Sequence, residues 1–165
     1  MLNSTAILLS AQAILIVQPT HTAEQKKNGA FIHGLLNGTA ALAFLAAFVI
    51  ILYNKASHHG THFESPHAIF GLITYISIFS VALFGSIMFY FPQVFGSITK
   101  AKSFYKFHRI FGYITLILQL VTVSLAVETD YNKTVLHIKL WTVILAGVIV
   151  ILGVFPRIKK AKLGF

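Results

Sequence analysis

The chain has 165 residues, of which 56% are hydrophobic and only 10% charged, where an ordinary soluble domain carries roughly a quarter charged residues. Cysteine is absent, which excludes disulfides, zinc–thiolate sites and iron–sulfur clusters and leaves histidine to hold any redox metal. The formal net charge is +9, but the cations sit in short stretches between apolar runs, which argues for membrane insertion and against nucleic-acid binding.

Met1–Val17 is apolar from Ala6 onward, a core of about a dozen residues, short of the roughly 20 that a spanning helix needs. It reads either as a signal peptide, although the basic n-region is missing, or as a spanning helix without its first turns. Pro19 and Thr20 end the run, and His21–Asn28 is a polar linker with Glu24, Lys26 and Lys27. Gly29–Tyr53 follows, 25 residues without a charge, enough to cross a bilayer as a helix. His33 lies about one turn inside it, with Asn37 and Gly38 one turn further on. The polar loop Asn54–Pro66 holds Lys55, His58, His59, His62 and Glu64.

The third segment, His67–Phe91, is also uncharged and is stopped by Pro92. Gln93–Phe107 reads as a basic linker, and Phe107–Val127 as the fourth segment. His108 stands near the start of that segment, just after Lys100, Lys102 and Lys106. A loop with Glu128, Asp130 and Lys133 leads to the fifth segment, Leu136–Phe155, which carries His137, Lys139 and Trp141 in its first turns. Asn132-Lys133-Thr134 has the pattern of a glycosylation acceptor. Pro156 breaks the last segment, and the tail Arg157–Lys162 is strongly basic.

The expected fold is therefore an all-α membrane bundle of about five helices, one domain over residues 1–165. With alternating segments, ten of the 13 Lys/Arg fall on one side and three on the other, so the ten-cation side, including the tail, is expected in the cytosol. No acidic residue lies within a span, which disfavours an ion or proton transporter.

Segments two and four both start on the cytosolic side, so His33 and His108 lie at matching depth. Intramembrane ionisable groups are rare and usually functional, and imidazole is a common haem and metal ligand. A lone histidine at a helix start is more often a hydrogen-bonded polar residue than a ligand; two at one level can instead grip one iron from opposite faces, the kind of site that helix bundles build. Gly112, four residues after His108, and Gly71, four after His67, give a flat macrocycle room to approach the backbone. His67 and His137, at the outer ends of segments three and five, form a weaker second pair. His58, His59 and His62 read as solvated loop residues, with a weak outer metal-binding role as the alternative.

The stretches Lys27–Asn37, Ser65–Leu72 and Lys106–Tyr113 resemble the histidine helices of the cytochrome b561 family, closest to fungal members with a simple core, from about Gln12 to the basic tail. The resemblance implies haem b as cofactor, with His33 and His108 as ligands of a cytosolic haem and His67 as a ligand of an outer one. It implies electron transfer from cytosolic ascorbate, or a similar reductant, to ferric iron or monodehydroascorbate on the other side. Lys26, Lys27, Lys106 and Arg109 would then ring the cytosolic mouth and attract the anionic reductant and haem propionates, beside their ordinary roles in topology and lipid contact. The family's first helix and the His-Pro opening of the next have no counterpart here, so the chain resembles a b561 protein lacking its N-terminus. His67 is then without its family partner, and His137 could replace that partner only if segment five packed beside segment three. One haem is expected, two if the absent ligand is replaced. The alternative function is a one-haem or haem-free b561-like subunit that supports a partner. The resemblance is compatible with the plasma membrane or an endomembrane such as the vacuole or endoplasmic reticulum, and with a homodimer; the residues decide neither.

Overall fold

The computed structural model describes residues 2–163, which form five α-helices and no strand. They are α1 (Leu2–Val17), α2 (Ala23–Ser57), α3 (Pro66–Tyr90), α4 (Ile98–Ala126) and α5 (Leu140–Val154). Four of the helical stretches, with α5 extended to Arg157, are long and apolar enough to cross a membrane; α1 is shorter.

The helix ends have local causes. Thr22 opens α2 through a capping box: its hydroxyl accepts from the Gln25 N–H at 3.1 Å, and the Gln25 side chain accepts from the Thr22 N–H at 3.2 Å. Ser65 caps α3, with Pro66 in the first helical position, where its missing N–H costs nothing. Ser97 caps α4 by accepting from the Lys100 N–H at 3.1 Å.

These caps correct two sequence-based boundaries, and a third differs for another reason. The linker expected over His21–Asn28 is helical from Ala23, and the linker expected over Gln93–Phe107 is helical from Ile98. The reason is common to both: residues beyond the hydrocarbon need not be apolar, so these stretches read as loop, but a good cap starts the helix there anyway. The fifth helix, by contrast, starts late, at Leu140. A single π-helical turn, Asn132–Leu136, precedes it, and His137 stands in the left-handed region at φ 54°. The buried Asn132 side chain holds this connection by donating to the carbonyls of Val127 (2.8 Å) and Ile138 (3.0 Å).

Helices α1 and α2 form one closely packed pair, and α3 and α4 a second. Contacts of α2 with α3 and of α1 with α4 close the ring, and α5 packs on α1 and α4. The core is thin. Ala6, Ile7, Ala40, Phe44 and Ile78 form one buried cluster, and Ala11, Leu116 and Val154 another. Ala6, Ala13 and Ala40 are at most 1% exposed, so small side chains let the backbones approach, the main source of attraction between helices in lipid. The outward faces are apolar: Leu42, Leu83 and Leu152 are each more than 60% exposed, as contact with acyl chains requires.

Candidate functional site

His33 lies ten residues past the start of α2, and His108 ten past the start of α4. The bundle brings their rings together, with centroids 6.1 Å apart and planes at 77°. Each ring has a wall of its own. His33 Nδ1 donates to the Ala13 carbonyl of α1 at 2.9 Å, which leaves Nε2 without a proton. The Asn37 amide, one turn on, lies 3.3 Å from that Nε2 and also donates to the His33 carbonyl at 3.1 Å.

The His108 ring rests on α3 at Gly85, where an added Cβ would come within 2.6 Å of its Cε1. Its Nδ1 is buried without a well-formed hydrogen bond, the Val81 carbonyl being the backbone group that addresses the ring. Phe84, next to Gly85 on α3, and Phe104, one turn before His108 on α4, stack with each other and with Phe95, the Phe95 and Phe104 centroids being 5.1 Å apart. The result is two imidazoles in an apolar layer with no carboxylate in it.

These residues fit a haem. Two imidazoles that share a metal at the roughly 2 Å usual for metal–imidazole bonds have ring centres about 6 Å apart, the spacing seen here. The Ala13 carbonyl orients His33 as outer-sphere partners of metal-bound histidines do. Among the described residues, no three His, Cys, Asp or Glu side chains cluster to hold a bare ion; a porphyrin needs only two axial donors from the protein.

The other expected positions are more scattered. His67, second in α3, is half-buried, and its Nδ1 donates to the Thr122 carbonyl of α4 at 3.0 Å. That bond also directs Nε2 away from the backbone. His137 is exposed in a connection whose helix has α1 and α4 as principal neighbours. The packing of segment five beside segment three that a shared site with His67 would need is therefore not a main feature of the bundle. Lys26, Lys27 and Lys106 are exposed, and Arg109 is half-buried within electrostatic reach of Tyr105 and Tyr113. The Lys106 ammonium lies 5.1 Å from the centre of the Phe107 ring. His58, His59 and His62 are exposed.

Of the two glycines expected to make room, Gly112 faces open space and Gly71 meets only the Thr122 methyl at 3.8 Å. Gly85 is the close one and was not anticipated. Its sequence signal was its place on α3 opposite the start of α4, readable once the two helices are taken as an antiparallel pair.

The family model for eukaryotic cytochrome b561 matches residues 1–133, so α1 to α4 with both histidines of the close pair fall within the match and α5 beyond it. No curated protein and no solved structure matches the chain.

Proposed function

The chain belongs to the eukaryotic cytochrome b561 family, a family of haem-dependent transmembrane oxidoreductases, and from that premise we propose that it passes electrons from cytosolic ascorbate, or a similar anionic reductant, toward ferric iron or monodehydroascorbate across the membrane. The observation that carries this reading is the His33–His108 pair, with ring centroids 6.1 Å apart. In it His33 and His108 would hold a haem b, and His67 would serve a second only if another ligand joined it. Bound there, haem b supplies reversible one-electron chemistry. The protein does the rest. The Ala13 carbonyl and the Gly85 surface set the two ring planes before the cofactor arrives. Held by two imidazoles, such a haem would be suited to electron transfer and not to oxygen binding. Lys26, Lys27, Lys106 and Arg109 give the cytosolic mouth a positive field that raises the local concentration of an anionic donor.

Proteoliposomes loaded with ascorbate, with ferric chelate outside, test the reading. Wild-type protein reduces the external chelate if it holds two haems; with one haem it is reduced by ascorbate but does not pass electrons to the chelate. The double substitution Lys106→Gln, Arg109→Gln raises the Michaelis constant for ascorbate severalfold while leaving the haem spectrum intact. An unchanged constant removes those two residues from reductant binding. Absence of any reducible haem would instead favour a partner-supporting subunit.

A further inference from the structure

The inner end of the bundle carries a second built feature, apart from the histidine layer. The turn between α1 and α2 and the chain that follows α5 enclose an open cleft of about 470 Å³, lined by Gln18, Pro19, His21, Pro156, Arg157, Ile158 and Lys159. Its floor is tied in place. Gln18 is only 7% exposed, and its Nε2 donates to the Val154 carbonyl at the end of α5 (3.1 Å) and approaches the Tyr113 hydroxyl of α4 (3.4 Å). One amide thus joins three helices and fixes the separation of the two walls.

The lining combines cations with apolar groups and contains no acid. Arg157 and Lys159 supply two full charges, and the guanidinium fork matches phosphate oxygens better than an ammonium point charge does. Pro19, Pro156 and Ile158 are the apolar part of the lining, and Gln18 and His21 complete it. Immediately beyond, Leu152 and Phe155 of the last helix are 66% and 70% exposed, a surface for acyl chains. A small soluble anion has no use for that apolar margin; a lipid with a phosphate head and hydrocarbon tails uses both parts. Basic pockets between helix ends on the cytoplasmic face are the usual place for anionic headgroups.

We propose that this cleft binds the phosphate of an anionic phospholipid of the inner leaflet, and that the lipid fastens α5 to the α1–α2 turn. The leaflet assignment rests on the orientation read from the charge distribution; the binding itself does not, because it can be measured in detergent. Neither depends on haem.

The test is native mass spectrometry of the purified full chain, titrated with phosphatidylserine or phosphatidylinositol and, separately, with phosphatidylcholine. One anionic lipid per chain is retained in preference to phosphatidylcholine. The double substitution Arg157→Gln, Lys159→Gln weakens retention roughly ten- to thirtyfold, the loss expected for two interfacial cations. Lys100→Gln, Lys102→Gln, which removes the same charge elsewhere on that face, leaves retention unchanged. Helix content by circular dichroism confirms that each variant is folded. Equal retention of phosphatidylcholine, or undiminished binding by the Arg157/Lys159 variant, overturns the proposal. So does displacement of the lipid by millimolar inorganic phosphate or ascorbate, which would make the cleft a small-anion site.

Discussion

A histidine in hydrocarbon needs a partner for each polar ring nitrogen, because an unmet buried polar group costs about 1–3 kcal/mol. His33 meets one need with the Ala13 carbonyl, whereas His108 Nδ1 lacks a well-formed bond. What His108 has instead is a tight seat. An alanine at position 85 would place its Cβ 2.6 Å from the His108 ring, and because the obstacle is a seated ring, the ring or the helix must move. Overpacking of this kind costs about 1–3 kcal/mol. Gly85→Ala therefore lowers apparent haem affinity about tenfold or more, measured by haem titration of the apoprotein. Gly147→Ala, on α5 with nothing within 4 Å, leaves it unchanged. Unaltered affinity in Gly85→Ala would show that the seat has no role. The two histidines were legible in the sequence because both stand at the same distance inside apolar runs. Gly85 and the Ala13 carbonyl were not: the first depends on the register between α3 and α4, and the second is a backbone group that no residue type announces.

The α3–α4 pair carries the same logic along its length. Thr74 and Thr122 share a hydrogen bond at 2.8 Å, and the Thr122 carbonyl accepts from His67 one helix end away. Such interhelical bonds contribute on average about 0.6 kcal/mol in a bilayer. Thr74→Val is nearly isosteric and removes only the hydroxyl. It is expected to lower stability by about that amount in a denaturant titration in mixed micelles; a loss several times larger would mean that the threonine pair also positions His67. Helix existence was legible from runs of more than 20 apolar residues, because hydrocarbon thickness imposes that length. Helix ends were not, because Thr22 and Ser97 extend α2 and α4 into charged sequence that composition reads as loop. The late start of α5 follows from the Asn132 bonds, a tertiary feature with no local pattern.

At the scale of the molecule, two close helix pairs form a ring whose inner surface is narrow and whose outer surface is lipid-like. Only two layers of that ring hold histidine within or at the edge of the spans among the described helices, His33 with His108 and His67 by itself. The charge distribution sets the close pair toward the more basic face. The account therefore depends on one layer more than on any other part of the chain. The direct test is the reduced-minus-oxidised visible spectrum of the purified protein with His33→Ala, with His108→Ala and with neither. The account predicts sharp low-spin bands in the wild type, and in each variant the loss of the component due to this haem, with the helical circular dichroism signal retained. Bands that survive either substitution in full would contradict it.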